Sequence, residues 1–145
     1  LGAGVMAASL QTAVRLTNTG CAPSVVLERS AAAVRDQLER ASTFATIVQA
    51  HVDVDSGRVC YADAGHGLTI IVRPDGTFTR LASANVPLGI DDDEELVDAE
   101  STIAPGEILV SLSDGALDAF PDSADPLADV AAMVAGLPTA DAAVE

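Results

Sequence analysis

EILVSLSDGALDAF, residues Glu107 to Phe120, is the stretch from which the fold is read. Ile108, Leu109, Val110 and Leu112 form an apolar, mostly β-favouring run too short for a typical helix, which predicts a buried strand. Ser113-Asp114-Gly115 breaks the run, and Gly115 tolerates the backbone angles of a sharp turn. A helical period starts at Ala116 and reaches Phe120, where Pro121 stops it. Asp114 therefore falls at the C-terminal end of a core strand, where open α/β-type sheets tend to place their chemistry. Its carboxylate has two readings at this point, a metal ligand or a helix N-cap.

Upstream of this stretch, Ala104-Pro105-Gly106 is a turn and Leu96 to Ile103 a strand. Ala82 to Glu95 reads as loop. It carries Val86-Pro87-Leu88-Gly89-Ile90 and the acidic run Asp91-Asp92-Asp93-Glu94-Glu95. Further back, Phe44 to Val54 alternates as a long strand, Asp55-Ser56-Gly57 turns it, and Arg58 to Asp63 is its antiparallel partner. Ala64-Gly65-His66-Gly67 interrupts the sheet. Leu68 to Val72 and Thr77 to Leu81 are strands joined by Pro74-Asp75-Gly76. The middle of the chain thus reads as an antiparallel meander rather than a βαβ unit.

Two helices precede the strands. Leu1 to Thr17 places Leu1, Val5, Ala8, Thr12 and Leu16 on one face, with Met6, Leu10, Ala13 and Val14 beside it. Asn18-Thr19-Gly20 ends that helix. Cys21-Ala22-Pro23-Ser24 opens the second, whose apolar stripe is Leu27, Ala31, Val34 and Leu38. Beyond Pro121, Pro126 to Ala135 reads as a helix and Ala140 starts another. Helices, then strands, then helices define an α+β class.

Composition narrows the function classes. The net charge is −15, with seven Arg and no Lys. Such a surface repels nucleic acid and anionic membranes, so neither is expected as a partner. No apolar run approaches the roughly 20 residues of a membrane span. Cys21 and Cys60 are far apart, without metal-type spacing, and read as buried free thiols of a reducing compartment; a cytoplasmic location is expected.

The remaining candidate residues each have a plain alternative. The run Asp91 to Glu95 lacks the alternating ligands and central Gly of an EF-hand loop and reads as a solvated loop. His66, between glycines, is either catalytic or fixes its turn by hydrogen-bonding the backbone. His51 reads as structural or exposed. Ser111 and Ser113 lack the glycine-flanked elbow of a nucleophilic serine. Gly2 and Gly4 make no phosphate loop, because no Gly-Lys-Ser or Gly-Lys-Thr follows.

Four segments together resemble the metal-dependent (PPM-type) protein serine/threonine phosphatases, in their bacterial SpoIIE/RsbU-like branch. They are Phe44-Ala45-Thr46, Tyr61-Ala62-Asp63-Ala64-Gly65-His66, Val86-Pro87-Leu88-Gly89-Ile90, and Leu112 to Ala119 with Pro105-Gly106-Glu107 ahead of it. The resemblance implies an antiparallel β-sandwich flanked by helices, an α/β/β/α arrangement, with residues 1–145 a single, partial domain incomplete at both termini. It implies two divalent cations, Mn²⁺ or Mg²⁺, that activate a bridging water to attack a phosphoserine or phosphothreonine. Asp114 matches the metal-binding, and in that sense catalytic, Asp of the Asp-Gly motif. His66 is not implied as a metal ligand.

The departures from the family pattern are as informative. The Asp-x-x-Gly-His-Gly segment that precedes the first helix in the family has no counterpart before Leu1, and the terminal acidic pair has none after the last helix. Gly67-Leu68-Thr69 stands where Asn-Pro-Pro is usual. A fragment of a larger enzyme is expected, since both ends stop inside helix-like patterns. The alternative is a non-catalytic, degenerate phosphatase-like regulatory module. In this branch the resemblance further implies a phosphorylated anti-sigma-factor antagonist as substrate and the N-terminal helix pair as a regulatory element. A homodimer is a further expectation, since missing strands would leave sheet edges unpaired.

Overall fold

Two glycines with left-handed backbone angles, Gly65 (φ 71°) and Gly67 (φ 64°), divide the strands into two antiparallel sheets. In the computed structural model, which describes residues 2–18, 20–91 and 95–137, the element order is α1 (Gly2–Thr17), α2 (Pro23–Ala41), β1 (Ile47–Asp53), β2 (Arg58–Ala64), β3 (Thr69–Val72), β4 (Phe78–Arg80), β5 (Ala99–Thr102), β6 (Ile108–Ser111), α3 (Asp114–Leu117) and α4 (Pro126–Ala135). One sheet has the order β1-β2-β5 and the other β4-β3-β6. The fold is α+β, with antiparallel sheets and helices, as expected. The four middle strands do not form one meander: the β1–β2 and β3–β4 hairpins belong to different sheets, because the Gly65-His66-Gly67 turn redirects the chain between them.

The chain divides into two compact units. The first runs through Gly67 and takes in Ala82–Ser101. Its sheet is built on β1–β2 pairing from Ile47↔Ala64 to Asp53↔Arg58. The expected strand start at Phe44 is not reached, since Ala45 pairs with Leu88 instead. The core combines Leu10, Ala13, Leu27, Val34, Leu38, Ala62, Ala64 and Leu88. Leu27, Val34 and Leu38 form the α2 stripe as the spacing predicts, and burying side chains of this kind contributes about 1.5–3 kcal/mol each.

The helix α1 is rotated from its expected orientation. It packs with Met6, Leu10 and Ala13, while Val5 and Leu16, assigned to the main apolar face, are 59% and 75% exposed. Apolar residues occupy most of the circumference of α1, so periodicity did not single out one face; contact with α2 did. The hydroxyls of Thr17 and Ser30 meet at 3.0 Å across that contact. The start of α2 has Pro23 in its first turn and no side-chain cap from Ala22; the Ser24 N–H donates to Asp98 Oδ1 at 2.7 Å.

The second unit is Leu68–Leu81 with the residues from Thr102 onward. Here β3 is central, paired with β4 from Ile70↔Arg80 to Val72↔Phe78 and with β6 from Thr69↔Ser111 to Val72↔Ile108. Ile70 and Val72 pack with Leu127, Val130, Ala131 and Val134 of α4, joined by Ile108, Val110, Leu112, Leu117 and Phe120. Asp125 caps α4 by accepting from the Ala128 N–H. The expected helix start at Ala140 lies outside the described residues. Among those described, no helix is long and apolar enough to cross a membrane.

Candidate functional site

β6 enters the core of the second unit through Ile108 and Val110, and the Leu112 N–H extends its pairing to the Leu68 carbonyl at 3.0 Å. Ser113, in an extended conformation (φ −80°, ψ 157°), is the N-cap residue of α3, and Asp114 is the first helical residue. The capping alternative for Asp114 is thus displaced by one position. Its Oδ1 accepts the N–H of the adjacent Gly115, at 2.9 Å, and the residue is exposed. Leu117 and Phe120 reach back into the core and hold the single turn of α3 in place. The result is a solvent-facing carboxylate on a short, anchored turn after a core strand.

Such a carboxylate can coordinate a cation but cannot hold one alone. A hard divalent ion takes about six or more oxygen ligands. Among the described residues, no group of three or more His, Cys, Asp or Glu is placed to share a metal ion. These residues by themselves do not fit a two-cation centre. Within the acidic run, Asp91 is exposed and Asp92 to Glu94 lie outside the described residues. His51 is half-buried, with Nε2 3.2 Å from Asn18 Oδ1. Cys21 and Cys60 are in no disulfide among the described residues and are half-buried rather than buried; Cys21 Sγ accepts from Arg29 Nη1 at 3.3 Å. Burial, reinforced by Asp98 and Glu100, pushes the Cys60 thiol pKa up. Ser111 Oγ lies 3.0 Å from Thr69 Oγ1, a cross-strand contact and not a nucleophile's setting.

A second constellation is built in the first unit around Asp63, which sequence reasoning placed in a strand and gave no role. It is 1% exposed. Its Oδ1 accepts from the His66 N–H (2.7 Å) and from Ser83 Oγ (2.8 Å), and its Oδ2 from the Gly67 N–H (2.9 Å). Ser83 Oγ in turn accepts from the Gly65 N–H at 3.1 Å. The Asp63 carbonyl accepts from Asn85 Nδ2 at 3.2 Å, and Asn85 Oδ1 takes the Val97 N–H at 2.7 Å. The turn at His66 is therefore fixed by the Asp63 carboxylate, with the His66 backbone as a donor to it. The available signal was a charged residue inside the otherwise apolar Tyr61–Ala64 run, since a buried carboxylate persists only when it is paired or hydrogen-bonded.

Three of the four signature segments converge here. Ala45 and Leu88 exchange backbone hydrogen bonds of 3.0 and 2.9 Å. A Cβ on Gly65 would lie 2.5 Å from Pro87 Cγ, so the turn and the Val86–Ile90 loop are in direct contact. The fourth segment, with Asp114, belongs to the second unit.

Residues 1–144 match the family model described as Stage II sporulation protein E (SpoIIE). The chain is 30% identical over 121 residues to phosphoserine phosphatase RsbU of Bacillus subtilis (strain 168), a match covering 79% of this chain and 36% of RsbU. The chain thus spans about a third of that relative's length. Among solved structures, the RsbU and RsbW domains of a Mycobacterium tuberculosis protein align with a TM-score of 0.74 at 22% identity, over 92% of this chain and 38% of that one. RsbX, in complex with magnesium, aligns with a TM-score of 0.73 at 13% identity, over 99% of this chain and 64% of its own. At these identities the two structures speak to the fold.

Proposed function

The chain belongs to the SpoIIE family, and from that premise we propose that the protein is a metal-dependent phosphatase that removes phosphate from a serine or threonine of a regulatory protein. The observation that carries this reading is the family match over residues 1–144, with Asp114 on the exposed turn after β6 where the Asp-Gly motif falls. In this proposal Asp114 supplies one carboxylate to a Mn²⁺ or Mg²⁺ site whose other ligands lie outside the described residues. The magnesium bound by RsbX supports the choice of a hard divalent cation.

The setting we propose is partner-switching control of a sigma factor in the cytoplasm, with a phosphorylated anti-sigma-factor antagonist as substrate. The similarity to RsbU, itself named a phosphoserine phosphatase, supports it. We also propose that α1 and α2 regulate the site and that a homodimer is accessible. Thr17→Val or Ser30→Ala, which remove the hydroxyl contact between the helices, should then change turnover or metal affinity; unchanged values for both would discard that role.

The test of activity is phosphate release from a phosphoserine peptide by the protein, with Mn²⁺, with chelator, and with Asp114→Asn. Manganese-dependent release that chelator abolishes and Asp114→Asn lowers by about 100-fold or more is expected, of the order seen when a group acting in the transition state is lost. A second reading, a non-catalytic binding module, is favoured by the lack of a three-ligand cluster among the described residues. It predicts no release under any of these conditions from a folded protein.

A further inference from the structure

His51 of β1 and Cys60 of β2 stand directly opposite each other in the hairpin register. The Cβ atoms of such a pair lie about 4.5–5.5 Å apart on one side of the sheet. Both residues line one cavity of about 240 Å³, together with Val52, Asp53 and Arg58. All of them belong to the first unit. Thiol and imidazole are ligands of soft and late transition metals, and neither group has a task in the reaction proposed above. The imidazole is also oriented: His51 Nε2 lies 3.2 Å from Asn18 Oδ1, just past the end of α1. With that oxygen as acceptor, Nε2 carries the ring proton and Nδ1 keeps its lone pair, the arrangement usual for a metal-bound histidine.

The surrounding charges decide the sign of the ligand. Asp98 and Glu100 both act on the Cys60 thiol and oppose a bare thiolate. Asp53 brings a further carboxylate to the lining, and the Arg58 guanidinium beside it is paired with Glu100. A cation that replaces the thiol proton is favoured there; an anion is not. Among the described residues, no group of three or more His, Cys, Asp or Glu is placed to share a metal ion. That sets aside a four-coordinate zinc site or a six-coordinate hard-ion site made of protein groups alone. It leaves the soft monovalent ions, which are satisfied by one sulfur and one nitrogen.

We propose that His51 and Cys60 form a two-ligand site for a soft monovalent metal ion of the Cu(I) type, bound by Cys60 Sγ and His51 Nδ1. On binding, the S–H bond breaks and its proton goes to solvent, the sulfur pair forms the bond to the metal, and Nδ1 donates its own pair; the metal keeps its oxidation state. Asn18 is a positioning residue that acts through the imidazole ring. The ion clips β1 to β2 in mid-hairpin and is separate from the hard divalent cation proposed at Asp114.

The experiment is competition for Cu(I), without oxygen, between the whole protein and the chromogenic chelator bicinchoninate. The wild type is expected to retain a single Cu(I) per chain, and excess Mn²⁺ should not displace it. Cys21→Ala should retain it equally. Cys60→Ala should lose it, and His51→Ala should weaken it by about 100-fold; Asn18→Ala should weaken it by about tenfold, as for an outer partner of a ligand. Cu(I) should raise the melting temperature of the wild type and of Cys21→Ala and leave those of Cys60→Ala and His51→Ala unmoved. Cys60→Ser and His51→Gln serve if either alanine variant fails to fold, as judged by circular dichroism. Undiminished retention in Cys60→Ala or His51→Ala overturns the proposal. So does retention that disappears with Cys21→Ala, or a folded wild type that holds no Cu(I). None of these outcomes bears on phosphate release, so the phosphatase reading stands or falls separately.

Discussion

Asp63 sits one residue before the end of β2 and is 1% exposed; Asp114 follows β6 and is open to solvent. The difference lies in what surrounds each carboxylate. Asp63 is met by the backbone of its own turn and by Ser83, brought from twenty residues away, and can act only on the protein. Asp114 is exposed and accepts the N–H of the residue next to it, so its carboxylate is open to solvent and to a ligand. Because Ser113 and not Asp114 holds the cap position, Asp114→Asn should change stability by no more than about 0.5 kcal/mol, as for exposed sites away from special features. A chemical denaturation midpoint measured beside the phosphate-release assay checks this. A large loss of stability would return Asp114 to a structural role. The position of Asp114 at a strand end was legible in the sequence. The burial of Asp63 was not, since its partners are distant in the chain.

At the level of elements, local signals held where one face or one cap dominated. The α2 stripe, the α4 span and the hairpin at Asp55-Ser56-Gly57 were set by spacing and turn residues. The strand ends were trimmed: the expected Leu96–Ile103 strand is Ala99–Thr102, and Phe44–Val54 is Ile47–Asp53. In both cases flanking backbone is taken by a tertiary partner, Asn85 for Val97 and Leu88 for Ala45. The N-terminus of α2 shows the same substitution of a distant group for a local one. Ala22 cannot cap it, and Asp98, more than seventy residues on, accepts the Ser24 N–H at 2.7 Å. The negative charge also complements the positive end of the helix dipole. Asp98→Ala should therefore cost about 1 kcal/mol, like the loss of an ordinary N-cap. Urea unfolding measures it, and an unchanged midpoint would mean that water replaces Asp98 without loss.

At the scale of the whole molecule, charge and acid response come to the fore. Asp53 is held below the usual 3.8 by hydrogen bonds, chiefly from the Ser56 hydroxyl and then from the Asp55 and Ser56 N–H groups. Asp75 is lowered from 3.8 mainly by the Thr77 hydroxyl, and Glu100 from 4.5 mainly by its hydrogen bond from Arg58. A carboxylate with a depressed folded-state pKa contributes stability that is complete above its unfolded value and is lost as pH falls through the folded one. The loss is thus expected below about 4.5 for Glu100 and below about 3.8 for the two aspartates. Relief of self-repulsion in a chain of net charge −15 acts in the opposite sense on acidification. High salt screens that repulsion but leaves short hydrogen bonds largely intact. Denaturation midpoints in high salt should therefore fall between pH 5 and pH 3, and Asp53→Asn with Asp75→Asn should flatten the fall; a midpoint that rises on acidification would show that repulsion dominates even when screened. The amino-acid sequence by itself determined the α+β class, the α2 and α4 helices, the hairpin turns, the acidic surface and the place of Asp114, because these depend on residue types within a few positions of one another. The tertiary structure alone decided which face of α1 is buried, how the strands divide between two sheets, where Asp98 is used, and that Asp63 is the carboxylate holding the His66 turn. Each of those depends on groups far apart in the chain meeting at hydrogen-bond or van der Waals distance, which no local pattern encodes.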